Sequence, residues 1–293
     1  MIPKHLQCSI LVVFSIDIDQ RKRVEVLISG IWNASGDGEL KIGEVVDPIH
    51  QFQIKNLMPI MHIGNYEIAF TNSALYMLII VCAVSALLIG ATSHRAIVPG
   101  RLQSIAELSY EFVSHTVRSS AGQEGMRFFP FVFTLFMFIL FANLIGLIPY
   151  SFTVTSQIII TAALALTVFV VVVCYGFWRN GLGFFNLFVP KGVPKVILPA
   201  IVAIEVLSFL SRPVSHSVRL FANMLAGHIT LQVFAGFIIM LAGWGVLGWF
   251  GAALPFAMVV MLLALELLVA CLQAYVFAIL TCIYLNDAIH PGH

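Results

Sequence analysis

Between Val196 and Asn286 the chain carries only four formal charges: Glu205, Arg212, Arg219 and Glu266. No water-soluble domain can be cut from such a stretch, because too little polar surface is available to face water. The rest of the 293 residues points the same way. Charged residues make up 10% of the chain and apolar residues 60%, against about 25% charged in an ordinary soluble domain. Mean hydropathy is +1.00. The solvent for most of this chain is therefore lipid. A net charge of only +1 excludes nucleic-acid binding, and the composition excludes disorder and collagen. The five cysteines (Cys8, Cys82, Cys174, Cys271, Cys282) are scattered, with no CxxC pair, and read as small apolar residues.

The chain reads as an all-α polytopic membrane protein of five transmembrane helices and one surface helix. Residues 1–46 form an N-terminal extension, disordered or dispensable. Its apolar run from Ser9 to Ile16 is too short to span the hydrocarbon. Residues 47–293 form the membrane-embedded domain. Thr71 to Ala91 is the first span, with Thr71 or Asn72 placed to cap it. Ser93 to Arg127 follows, where Leu102, Ile105, Leu108, Phe112 and Val113 recur at helical spacing among Glu107, Glu111 and Arg118. That pattern predicts an amphipathic helix lying on the membrane. Phe128 to Pro149 and Ile158 to Trp178 make the second and third spans, joined by a tight reversal.

Two long apolar stretches complete the chain, Val196 to about Leu241, interrupted by Pro213, and about Phe256 to Leu285. A helix of about thirty residues measures ~45 Å against a hydrocarbon core of ~30 Å. Both helices are therefore expected to tilt strongly or to kink. Trp244 and Trp249 are expected in the turn between them. The basic residues of the loops around Arg95, Arg101 and Arg118 and around Arg179 to Lys195 place those loops inside. The N-terminus then lies outside and the C-terminus inside.

Arg219 is the sharpest residue, because arginine stays charged and an intramembrane charge costs several kcal/mol at least. It requires a partner or a water-filled cavity. Asn223, one turn on, either orients the guanidinium or makes a helix–helix hydrogen bond. His228 and Glu266, one on each long stretch, are a candidate pair for passing protons. His228 falls half a turn off the face of Arg219. Gln273 shares a face with Glu266. Glu205, Ser208 and Arg212 share another, either as a polar lining or with Glu205 and Arg212 paired to each other.

The run Ser211-Arg212-Pro213-Val214-Ser215-His216-Ser217-Val218-Arg219-Leu220-Phe221-Ala222-Asn223-Met224-Leu225-Ala226-Gly227-His228 closely resembles the signature of subunit a of F-type ATP synthases. So do Asn143-Leu144-Ile145-Gly146-Leu147-Ile148-Pro149-Tyr150 and Leu272-Gln273-Ala274-Tyr275-Val276-Phe277. The resemblance covers Asp47 to the C-terminus and has an alphaproteobacterial or mitochondrial character. It implies a bundle with two oblique helices against a ring of c subunits, in a bacterial inner membrane, or the mitochondrial one if the protein is organellar. It further implies association with the peripheral-stalk b subunits and the remainder of the complex.

For individual residues, the resemblance implies that Arg219 faces the ring and that His228 and Glu266 lie on the outer proton route. Their acid and histidine are exchanged relative to some bacterial members, as in mitochondrial types. Gln273 falls near the arginine, and Glu205 and Ser208 on the inner route. The family's acidic residue after the Asn143 motif is absent, with Gly146 and Ser151 in its neighbourhood. Asn143, Thr155 and Gln157 stand as polar substitutes. No cofactor, metal or catalytic site of the chain's own is expected.

Three other classes fit less well. A secondary transporter should show inverted repeats and paired broken helices. A haem subunit needs histidines on facing helices, whereas His216 and His228 share one stretch. A membrane scaffold would tolerate Arg219→Lys.

Overall fold

The computed structural model describes residue 54 and residues 56–63, 66–93, 99–148, 151–189, 197–243 and 246–289. The extension over 1–46, the start at Asp47 and Trp244 lie outside the described residues.

The architecture is helical, with five helical stretches long and apolar enough to cross a membrane. In lipid every backbone N–H and C=O must be satisfied within its own segment, and a continuous helix does this. α1 (Asn72–Ser93) begins as the sequence suggests. The Ala74 N–H donates to Thr71 Oγ1 at 3.3 Å and the Ser73 N–H to Asn72 Oδ1 at 2.9 Å. α2 (Arg101–Gly125) buries Val113, Val117 and Ala121 and leaves Leu102, Ile105 and Leu108 exposed. Its apolar residues therefore serve two surfaces, one packed and one outward. Its regular backbone breaks at Gly122, where φ is +67°, a value that favours glycine. α3 (Phe129–Gly146) and α4 (Ile158–Asn180) follow.

α5 (Leu198–Ala242) and α6 (Val246–Ile289) run for 45 and 44 residues, about 66 Å each at the usual helical rise. That is twice what an upright crossing needs, so both must run obliquely or along the membrane for part of their length. α6 starts ten positions before the expected Phe256 and takes in Pro255. Trp249 is accordingly on the helix, partly exposed, and not in the turn. Glycine and proline mark turns in water, but in lipid a broken helix strands backbone groups, so the helix continues through them.

A two-stranded antiparallel ribbon, β1 (Asn56–Ile63) and β2 (Tyr66–Thr71), precedes α1. Its register pairs His62 with Glu67 and Ile63 with Tyr66, and it slips twice further along. The membrane reading of the sequence does not anticipate it.

The chain divides into two compact units, and α5 and α6 contribute to each. Of the described residues, one holds those up to Tyr76 and those within Asn143–Val154 and Asn223–Val269. Its apolar cluster is Leu231, Ala235 and Ile238 of α5 with Ala252 and Val259 of α6. The other holds the described residues within Met77–Ala142 and Thr155–Ala222 and those from Ala270 on. Its core joins Val113 and Val117 of α2, Val132 and Ile139 of α3, Val168 and Val172 of α4, Phe209 of α5 and Phe277 of α6.

Candidate functional site

In the first unit α5 and α6 bring His228 and Glu266 together. His228 Nε2 lies 3.6 Å from Glu266 Oε1, with the residues 8% and 5% exposed. The distance is that of an ion pair and is too long for a direct hydrogen bond. Both Glu266 oxygens are buried without a hydrogen-bond partner among the described residues. A buried carboxylate left in that state is costly, so the site calls for water or a proton. The same nitrogen, His228 Nε2, also meets Thr153 Oγ1 at 3.0 Å. Thr153 comes from the segment between α3 and α4.

Gly227 makes room for the pair. A Cβ there would stand 2.8 Å from Glu266 Oε1, so the carboxyl lies directly against the backbone of α5. Gly146 plays the same part for Thr153, whose methyl carbon would meet a Cβ at 2.9 Å. Asn143, in the last turn of α3, is wholly buried. In this unit the sequence identifies Asn143, His228 and Glu266 but misses Thr153, although it selects the nearby Thr155 and Gln157. Those two belong to the other unit, where Thr155 is buried and Gln157 half-buried.

In the second unit Arg219 is exposed on α5. It has no hydrogen-bond or ion-pair partner among the described residues; Asn223, which belongs to the first unit, is also exposed. A guanidinium held outward on an apolar helix is poised for a charge supplied from elsewhere. Gln273 is buried on α6, Glu205 is half-buried and Ser208 exposed on α5.

The pairing of Glu205 with Arg212 does not occur. Arg212 instead bonds Asp287 near the end of α6, Nη1 to Oδ2, at 2.6 Å. Its guanidinium also lies 5.1 Å from the centre of the Tyr284 ring, within cation–π range. Asp287 offers a carboxylate held by its own helix, whereas Glu205 lies two turns from Arg212 along α5. Glu205 thus remains free of ion pairs among the described residues. Thr161 and Ser217 share a buried hydroxyl contact of 3.3 Å.

Chemically, the first group is a buried carboxyl and an imidazole at ion-pair distance, which one water could bridge, and the second an unpartnered cation on the helix that also carries Glu205 and Ser208. The model of the family described as the ATP synthase A chain matches residues 74–286. Proteins named ATP synthase subunit a from Rhodopseudomonas palustris (strain BisB18) and Nitrobacter winogradskyi are each 66% identical to this chain over 249 residues, which is 85% of this chain and 100% of theirs. That of Bradyrhizobium diazoefficiens is 65% identical over 249 residues, 85% of this chain and 99% of its own.

Proposed function

Because the chain belongs to the ATP synthase subunit a family, the proton-translocating stator subunit of the Fo membrane sector, we propose that its two polar groups line two half-channels that do not meet. The chain is a multi-pass membrane protein of the Fo complex. In our reading the outer half-channel passes Asn143, Thr153, His228 and Glu266. The inner one passes Glu205 and Ser208. Arg219 stands between them, with Asn223 and Gln273 nearby, facing a ring of c subunits, and the peripheral-stalk b subunits hold the stator still.

The observation that carries this reading is the Glu266–His228 pair, buried at 3.6 Å with both carboxyl oxygens unsatisfied. Such a pair is expensive in a purely structural role and useful as a proton step. The exposed, unpartnered Arg219 supports the second half. Its fixed charge attracts a ring carboxylate and repels a proton crossing directly. A ring carboxylate must be neutralised before it meets lipid. A potential of 100 mV supplies about 2.3 kcal/mol for each proton moved, which biases the rotation.

Single cysteines at Thr153 and Ser208, in a cysteine-free background of the whole complex, test the two routes and their orientation. A membrane-impermeant thiol reagent is expected to block proton translocation through Thr153→Cys only from outside and through Ser208→Cys only from inside. Reaction of both from one side contradicts the arrangement.

The contact at Gly227 gives a finer check. Gly227→Ala puts a methyl group 2.8 Å from where Glu266 Oε1 lies, and the flexible carboxyl must move. Displacing an acid–base group by about 1 Å costs up to about 100-fold. Proton translocation is expected to fall by that order with normal amounts of assembled complex. Wild-type rates would show that Glu266 needs no fixed position.

A further inference from the structure

The two proposed routes leave His216 without a task. It is 4% exposed, and neither Nδ1 nor Nε2 has a hydrogen-bond partner. Among the described residues no other histidine has both ring nitrogens buried and unsatisfied. Neutral imidazole always carries one N–H and one lone pair, and leaving a buried donor or acceptor unmade costs roughly 1–3 kcal/mol. Histidines kept for packing normally find partners. Here the ring stands edge-on to Phe277, with centroids 3.7 Å apart and planes at 89°. That contact offers one ring edge a weak acceptor at most.

The imidazole lines a crevice of about 280 Å³, its open mouth included. Val168 and Val172 of α4 supply apolar wall, and Arg212, His216 and Tyr284 supply the polar groups. Its enclosed part has room for about one ordered water. The charged and titratable groups around it are few. From α5 they are Arg212, fixed by Asp287, and Arg219, one turn beyond His216. From α6 they are Tyr284 and Asp287. The α4 residues of the crevice are all apolar. Thr161 and Ser217 form the adjoining hydroxyl pair. An intramembrane ionisable side chain with two free nitrogens, a water-sized space and an ion pair alongside has the parts of a proton relay.

We propose that His216 is a proton-relay residue of the inner route. It takes a proton from water on the Arg219 side and gives one to water in the crevice, which hands it on past Arg212–Asp287 to the inner solution. One proton is gained and one lost in each passage, and no electron moves. The proposal rests on the reading that an inner half-channel leads away from the ring site beside Arg219.

The test uses the whole complex in inverted membrane vesicles, comparing His216→Leu, His216→Ala and His216→Gln with wild type and with Arg219→Ala. ATP-driven pumping is measured first, then passive proton conduction after the catalytic head is stripped. The leucine and glutamine variants keep the volume without the titrating group. Both are expected to lose about tenfold or more in conduction and pumping, the low end of acid–base effects or somewhat below it. The alanine variant leaves a hole, and imidazole in the medium is expected to restore its conduction while leaving the leucine variant unchanged. Restoration also shows that the alanine variant is folded.

Wild-type rates in the leucine and glutamine variants overturn the relay while the half-channel reading stands. Loss without imidazole rescue, in complexes assembled to normal amounts, assigns His216 to packing and overturns it equally. Normal pumping by Arg219→Ala removes the route itself, and the relay with it.

Discussion

Arg219→Ala is expected to lose most ATP-driven proton pumping while the stripped membrane sector still conducts protons, at the wild-type rate or faster. The two readouts separate because one side chain does two things in the proposed mechanism. As a cation it pairs with the ring carboxylate that arrives beside it, and truncating one partner of such a desolvated pair costs about 2–5 kcal/mol. At roughly tenfold for each 1.4 kcal/mol, pumping falls by about 30-fold to about 3,000-fold. As a barrier it keeps protons from crossing between the half-channels, and removing the charge opens that crossing.

The geometry favours this double role, because Arg219 is exposed and spends its charge on no described partner, unlike Arg212, which is tied to Asp287 at 2.6 Å. Lysine in its place keeps the charge but loses the planar fork that grips a carboxylate, so Arg219→Lys is expected to pump poorly. A scaffold would tolerate it. Unchanged pumping in Arg219→Ala would end the mechanism. Loss of pumping and conduction together, with the subunit assembled, would mean that the arginine holds the path open.

Most of the helical architecture is legible in the sequence because lipid leaves the chain little choice. Once a stretch is too apolar for water, a helix is the economical way to satisfy its backbone. Lengths then follow from where charges and loops resume, and Asn72–Ser93 and Ile158–Asn180 fall within two residues of expectation. The misread places are those where a local signal meets that global constraint. Pro255 and the glycines before it spell a turn, yet α6 passes through them. The β-ribbon carries its own signal, a Gly64-Asn65 pair of hairpin type between the two strands, which the hydropathy of the neighbouring span outweighs.

Within the site, intramembrane charges announce themselves by their cost, so Arg219 and Glu266 stand out unaided, and His228 stands out only as a partner for Glu266. Their supporting groups do not. Thr153 is one hydroxyl among several in its loop, and Gly227 matters only because another helix brings a carboxyl against it. Asp287 lies 75 positions from Arg212, and no spacing rule joins them before the fold does.

Glu266→Ala and His228→Ala are each expected to lower proton translocation by about 100-fold or more, as when an acid–base group leaves a transfer path. The stronger statement concerns the pair. If the 3.6 Å contact is a proton step, its two members form one unit and their losses will not add. The double alanine variant should then be little worse than either single one. The exchanged variant His228→Glu with Glu266→His, which restores one carboxyl and one imidazole, should recover more activity than any of them. Recovery will be incomplete, for two reasons visible in the packing. Thr153 Oγ1 is set 3.0 Å from an imidazole nitrogen, and a shorter carboxylate at 228 will not reach it in the same way. The space against Gly227 fits a carboxyl oxygen, and an imidazole there must tilt away. Gly227 must therefore stay glycine in the exchanged chain, and Gly227→Ala should cancel the recovery. Two additive losses and an exchange no better than the alanines would show two independent residues that happen to be neighbours. Proton conduction through stripped vesicles, measured on equal amounts of assembled complex, decides between them.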